Sequence, residues 1–128
     1  MRGQVAVEFI IILAFMMVLL AVAAGISFQK SLETEGEMAD LEAEMVLHEA
    51  ASAVNTAHIE GDGFRTTIVL PETVGGRNYT IRMSAALIWM EVGGSFHSDI
   101  MLTGNVTGDF VPGENTVKNA GGGVFLNT

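Results

Sequence analysis

The feature that most constrains this chain is an uninterrupted apolar run near its N-terminus. Each of the eighteen residues from Phe9 to Ile26 is apolar or glycine, and none is charged. With its flanks the segment reaches from Gln4 to Phe28, about 37 Å as a helix, which is enough to cross a hydrocarbon core. Arg2 precedes the run, and nearly all of the acids follow it. This asymmetry predicts a transmembrane helix with its N-terminus on the cytoplasmic side.

Residues 29–58 predict a second helical stretch that is acidic and amphipathic. They contain seven acids and one base, so their net charge is −6. Helix formers dominate and proline is absent. No stop signal stronger than Gly25 or Gly36 separates the two stretches, so we expect one helix from about Gln4 to about His58, ended by the Gly61-Asp62-Gly63 turn. The expected apolar face recurs at helical spacing and comprises Leu32, Ala39, Ala43, Val46, Ala50, Ala53 and Ala57.

From Ile59 to Thr128 the pattern changes from helical to alternating. This part holds twelve of the fifteen glycines, and its short β-branched and alternating runs are typical of strands and turns. Such a short segment forms only a marginal core alone, so we expect the apolar face of the preceding helix to complete it. The predicted fold is α+β, a long N-terminal helix that carries a small antiparallel β-rich C-terminal head. The expected strands are 64–70, 77–83, 86–92, 96–102, 105–111 and 124–126.

The residues in front of the apolar run form a distinctive pattern. They include Arg2, Gly3 and Gln4, and Glu8 is the only acid before Glu33. An ionised carboxylate at membrane depth is unfavourable without a partner. Cleavage between Gly3 and Gln4 would create an α-amine one helical turn from Glu8, on the same face of the helix. That amine could equally meet Glu8 of a neighbouring copy, and a buried pair of this kind fixes the register between helices.

In these residues the chain resembles archaeal type IV pilins with a class III signal peptide, members of the type IV pilin and archaellin superfamily. Their pattern is a short basic leader, Gly before Gln, Glu at the fifth mature position and a long apolar run; this chain departs from it at Ala6, where the family often has Ser. The resemblance implies cleavage between Gly3 and Gln4 by a prepilin peptidase. The resulting regions would be a leader (1–3), a transmembrane and filament-core helix (4–28), an amphipathic helix (29–58) and the head (59–128).

The resemblance also implies a structural function. The mature subunit would polymerise into an extracellular helical filament that adheres to surfaces or cells. Its partners would be identical subunits, the membrane that holds the precursor, a pilus assembly ATPase and a membrane platform. The apolar helix contacts lipid before assembly and copies of itself afterwards, and these two environments are close in energy. The residues expected to mediate assembly are Gln4, Glu8, Phe9, Ile12, Phe15 and Leu19.

Other interpretations of the apolar run are open. An ordinary secretory signal would be cleaved after Ala21-Val22-Ala23 and would release a protein that begins at Ala24. A membrane anchor that never polymerises would keep Met1, although it leaves the motif around Glu8 unexplained. In either case the head would be a secreted or membrane-anchored binding domain. An archaellin or a minor pilin would share the N-terminal motif with the pilin.

Little in the sequence points to catalysis or to a bound cofactor. The formal net charge of −9 argues against nucleic acid as a partner, and the absence of cysteine excludes disulfides and thiolate chemistry. His48, His58 and His97 lack the spacing of paired helical metal ligands, which favours surface or capping positions for them. Neither 58–62 nor 103–109 follows a calcium-loop pattern. We therefore expect no metal, no cofactor and no enzymatic activity. Two Asn-x-Thr sequons, at Asn78 and Asn105, are predicted glycosylation sites outside the membrane.

Overall fold

A computed structural model describes residues 2–128 of the chain. Helix α1 spans Arg2–Glu60, a total of 59 residues, and neither Gly25 nor Gly36 interrupts it, which confirms the prediction of one long helix. It ends at the predicted glycine turn, where the backbone N–H of Gly61 donates to the carbonyl oxygen of Ala57 at 3.2 Å. Met1, the first residue of the expected leader, lies outside the described residues.

Strands follow the helix and form two sheets. Their order in the first sheet is β1-β6-β7-β5, and that in the second is β2-β3-β4. All strand pairs are antiparallel except β5 with β7, which is parallel. The predicted α+β class, a long apolar helix followed by a small β-rich head, is therefore confirmed. The strands are β1 (Arg65–Leu70), β2 (Tyr79–Ser84), β3 (Leu87–Val92), β4 (Ser95–Ile100), β5 (Val106–Thr107), β6 (Gly113–Ala120) and β7 (Gly123–Leu126).

Strand β6 is the main difference from the sequence-based expectation. The predicted strand over 105–111 is wrong for most of its length, because only β5 forms there, whereas the unpredicted β6 has eight residues. The buried side chains of β6 are Asn115, Val117 and Asn119. Two of these three are polar, so the alternation of buried and exposed positions is invisible as an apolar pattern. The Asn119 amide nitrogen donates to the Ala57 carbonyl oxygen at 2.9 Å and so joins β6 to the end of α1.

The core of the head includes the C-terminal part of α1, as predicted. The expected face is buried from Ala43 onward, whereas Leu32 is 54% exposed. Most of the buried helix residues are alanines, and small side chains let the strands pack closely against the helix. The buried helix residues are Ala43, Val46, Leu47, Ala50, Ala51, Ala53, Val54 and Ala57. The remaining core residues are Leu70, Val74, Tyr79, Ile81, Ile88, Met90, Met101, Phe110, Val117, Val124 and Leu126.

The chain divides into two compact units, with the boundary between Glu37 and Met38. The first unit is the N-terminal part of α1. The second contains the rest of α1 together with both sheets. Helix α1 therefore belongs to both units, and its C-terminal part is in the same unit as the head.

Glycine is required at two kinds of position in the head. Between β3 and β4, Gly93 and Gly94 have φ angles of 55° and 80°, which suits a two-residue hairpin turn. Gly108, after β5, has a φ angle of 100°, and a Cβ atom there would collide with the carbonyl oxygen of Leu126. At these positive φ angles a residue with a Cβ atom would have a strained backbone, whereas glycine does not.

Candidate membrane and assembly segment

The N-terminal part of α1 exposes an unusually large apolar surface. Its most apolar stretch is long enough and apolar enough to cross a membrane, and none of that stretch is buried. Because monomeric soluble proteins rarely expose contiguous apolar patches of this kind, the surface requires lipid or another apolar partner. The large exposed side chains are Val5, Val7, Phe9, Ile10, Ile11, Ile12, Leu13, Phe15, Met16, Met17, Val18, Leu19, Leu20, Val22, Ile26 and Phe28.

The residues predicted to mediate assembly share one side of this helix. Since α1 is continuous from Arg2, each residue advances by about 100° around its axis. The six predicted positions then fall within an arc of roughly 140°. All of them are exposed, and they are Gln4, Glu8, Phe9, Ile12, Phe15 and Leu19. The helix therefore places the predicted acid and four large apolar side chains on one exposed side.

The single acid of the apolar segment has no partner within the described chain. Glu8 lies one turn after Gln4 on the same side of α1. Within residues 2–128 its carboxylate takes part in no ion pair and no hydrogen bond. A carboxylate of this kind accepts hydrogen bonds from an ammonium group, so an α-amine from a second molecule fits it chemically.

The predicted processing site lies at the start of the same helix. Gly3 and Gln4 are both helical and exposed, and no atom lies within 4 Å of the point where a Cβ on Gly3 would be. The bond between them is in the first turn of α1, where the backbone N–H groups lack helical partners. A peptidase that cleaves this bond would have to unwind the terminal turn, and the ends of a helix are its least stable part.

Both predicted glycosylation sites are exposed in the head. Asn78 directly precedes β2 and Asn105 directly precedes β5. The backbone N–H of Asn105 donates to the Thr103 hydroxyl at 3.1 Å, which orders the loop in front of β5. The two side chains are accessible positions for a glycan, and their modification stays a prediction.

Two of the three histidines, His48 and His97, connect α1 to the second sheet. Nδ1 of His48 is 3.0 Å from a carboxylate oxygen of Asp99 in β4, and Nε2 of His97 is 3.5 Å from one of Asp40. The Nε2 atom of His97 is buried without a hydrogen bond, although the sequence favoured a surface or capping position for this residue. No group of three or more histidine, cysteine or acidic side chains within residues 2–128 is arranged to hold a metal ion. Both contacts lie between α1 and β4.

A groove in the head is absent from the sequence-based expectations. We name it the Trp89 groove; its volume is about 510 Å³, and its wall includes Thr80, Arg82, Met83, Trp89, Asp109 and Phe110. The sequence predicts only that Trp89 lies in the expected strand over 86–92. It is half-buried and lies opposite Arg82 in the β2–β3 pair. In the sequence, Thr80 and Arg82 alternate with the larger, mostly apolar residues of β2. This alternation is the one sequence signal that places the two polar side chains on the outer face.

Comparison with protein-family models, with curated protein sequences and with solved structures finds no match to this chain.

Proposed function

We propose that this chain is the precursor of a structural subunit of an archaeal type IV pilus. The observation that carries the proposal is the apolar N-terminal part of α1, which is exposed along its whole length and contains a single acid that has no partner within residues 2–128. A surface of this composition suits two environments in turn, first the lipid bilayer and then the apolar helices of sister subunits. The head is the part that faces the solvent.

Processing and assembly depend on the same few residues. A prepilin peptidase cleaves between Gly3 and Gln4 and leaves the apolar helix attached to the head. The new α-amine of Gln4 then pairs with Glu8 of a neighbouring subunit, while Phe9, Ile12 and other apolar side chains fill the filament core. A buried ion pair contributes little net stability, but a misaligned pair leaves two unpaired charges in an apolar core, so the pair sets the register.

The remaining partners and the location follow from this proposal. The precursor resides in the cell membrane, and the mature subunit is part of an extracellular filament that adheres to surfaces or cells. Assembly uses an ATPase and a membrane platform, and the subunit itself is not an enzyme. Glycans on Asn78 and Asn105 would cover part of the outer surface of the head. An archaellin or a minor pilin would use the same mechanism.

A membrane-anchored binding domain is the second candidate function. The observation that favours it is the same exposed helix, because a helix long and apolar enough to cross a membrane is sufficient for anchoring. In that case Glu8 has no specific role, and the Gly3–Gln4 bond stays intact.

The decisive experiment is mass spectrometry of the N-terminus of the protein isolated from the cell surface, combined with electron microscopy of shed filaments. A subunit that begins at Gln4 and occurs in filaments supports the pilin. A subunit that begins at Ala24 indicates ordinary secretion and overturns the proposal. An intact Met1 without filaments indicates a simple membrane anchor and also overturns it.

A further inference from the structure

We propose that the Trp89 groove of the head binds a neutral saccharide. The groove has a volume of about 510 Å³, which is within the usual range of small-molecule sites. It combines aromatic side chains with polar groups of both charges. The proposal supplies a ligand for the adhesion part of the proposed function and rests on that function only for its biological use, because binding itself needs no filament.

An accessible indole ring forms the apolar part of the groove. Trp89 is half-buried, and Phe110, which is 5% exposed, lines the same groove. No cation stacks on the Trp89 ring within residues 2–128, where the cation–π contact is that of Lys118 with Phe125. The electron-rich face of the ring therefore stays available to the C–H groups of a ligand, which carry partial positive charge. A pyranose ring has a face of this kind.

Two opposite charges in the groove have no partner in the described chain. Arg82 projects from β2, and Asp109 lies in the segment between β5 and β6. Within residues 2–128 neither side chain takes part in an ion pair or a hydrogen bond. The guanidinium offers donors and the carboxylate offers acceptors, and a saccharide hydroxyl can use both. The Thr80 hydroxyl, on the same side of β2 as Arg82, adds a third polar group.

The wall of the groove is held in place by the fold. Arg82 and Trp89 are directly opposite each other in the antiparallel pair of β2 and β3. The segment that carries Asp109 is fixed by Asn127, whose amide nitrogen donates to the Asp109 carbonyl oxygen at 2.9 Å. Phe110, the residue after Asp109, is buried and so anchors the same segment. A ligand therefore meets a largely formed surface, which lowers the entropic cost of binding.

The charge of the chain favours a neutral saccharide over an acidic one. The contributions of Arg82 and Asp109 cancel within the groove, whereas the whole chain has a formal net charge of −9. This field repels uronic acids and other anions. An extended peptide added to the open edge of β2 is the competing occupant. It would use backbone groups, and it would leave the unpaired side-chain charges without a role.

The test is a binding measurement on the full chain in micelles, after expression in a host without N-glycosylation. The detergent must have no sugar headgroup, because alkyl glycosides would themselves occupy the groove. Methyl glycosides of glucose, galactose, mannose, N-acetylglucosamine and glucuronic acid are the probes, together with a short extended peptide rich in valine and threonine. Trp89 is the only tryptophan, so its fluorescence reports the groove directly. For a ligand this small we expect a Kd on the order of 1 mM for a neutral glycoside.

Variants assign the signal to the groove. Arg82→Gln and Asp109→Asn should each weaken binding by about ten-fold, whereas Trp89→Phe should retain part of it. Trp89→Ala should abolish it, as measured by saturation-transfer NMR on the glycoside. The matched controls are Arg65→Gln and Glu114→Gln, exposed charges in β1 and β6 outside the groove, which should leave the Kd unchanged.

Three results would overturn the proposal. These are the absence of binding by every neutral glycoside, a wild-type Kd in both the Arg82→Gln and the Asp109→Asn variant, and binding of the peptide without binding of any glycoside. Folding of each variant is checked by its unfolding transition, so a misfolded variant is not counted as a loss of binding. Because all measurements use unpolymerised chains, failure of saccharide binding is distinguishable from failure of filament assembly.

Discussion

Replacing Leu47 by alanine tests whether the C-terminal part of α1 is an integral part of the head. Leu47 is 1% exposed and, together with Val46 and Val54, supplies the larger side chains on a buried helix face made mostly of alanine. Met45, two residues earlier on the same helix, is 72% exposed. Met45→Ala removes a comparable volume from the solvent-facing side and is the matched control.

The expected effect follows from the atoms removed and the space around them. The three carbon atoms that distinguish leucine from alanine are worth about 2.4 kcal/mol at about 0.8 kcal/mol per buried CH₂ group. With the cavity included, such substitutions destabilise by about 2–5 kcal/mol. Leu47 also lines an open groove of about 460 Å³ beside β4, so solvent and neighbouring side chains can fill part of the void. We therefore expect a loss of about 2–3.5 kcal/mol, against at most about 0.5 kcal/mol for Met45→Ala.

Urea unfolding of the full chain in micelles measures both variants. Trp89 lies in β3 and is the only tryptophan, so its fluorescence follows unfolding of the head without interference from the N-terminal segment. The free energies of unfolding come from linear extrapolation. If Leu47→Ala and Met45→Ala lower the free energy of unfolding equally, the helix does not complete the core and the reasoning is refuted.

Three further substitutions test the N-terminal part of α1 and the head. Glu8→Leu should abolish surface filaments but leave the precursor in the membrane, as seen by electron microscopy and membrane fractionation. Tyr79→Phe removes the hydrogen bond from the Tyr79 hydroxyl to the Pro71 carbonyl oxygen at 2.6 Å and should destabilise the head by about 1 kcal/mol at neutral pH. Burial, followed by two nearby glutamates, raises the pKa of Tyr79, so wild-type stability should fall above about pH 10, and less so in the variant. Gly108→Ala should cost about 2 kcal/mol or more in urea unfolding, because it combines a positive φ angle with a backbone collision.

Each of these has a control and a contradicting outcome. Glu33→Leu removes an acid beyond the apolar segment and should leave filaments intact; filaments in Glu8→Leu at the wild-type level would contradict the role of the acid. For the tyrosine, equal losses of stability above pH 10 in both proteins would show that other groups titrate. Gly76 also has a positive φ angle, 74°, but has free space around it, so Gly76→Ala should be milder than Gly108→Ala.

Local patterns in the sequence are sufficient for the helix and for most of the strands. The apolar run, the helix formers after it and the turn at Gly61 predict the extent of α1 to within two residues at each end. Alternation in the regions of β2 and β3 predicts their strands in the same way. Strand β6 could not be predicted from the sequence, because two of its buried residues are Asn115 and Asn119. Their amide groups hydrogen-bond to backbone carbonyl oxygens, and only the folded structure supplies those partners.

The assembly segment could be predicted from local sequence patterns, whereas the Trp89 groove could not. Gln4 and Glu8 are four residues apart on one helix, so their spacing alone places them on the same side. The Trp89 groove depends on Asp109, which is far from Arg82 in the sequence and reaches it only through the packing of the segment after β5 beside β2. A single sequence contains no signal that Asp109 lies near Arg82. The sequence therefore shows Trp89 only as an ordinary strand residue.

The unbroken course of α1 into the core has a mechanical consequence. Tension on the N-terminal segment travels along the helix backbone to Val46, Leu47 and Val54, which are all buried in the head. Because these side chains are on one stretch of helix, extraction of that stretch would move them past the sheets together, and we expect this to require a high force in shear.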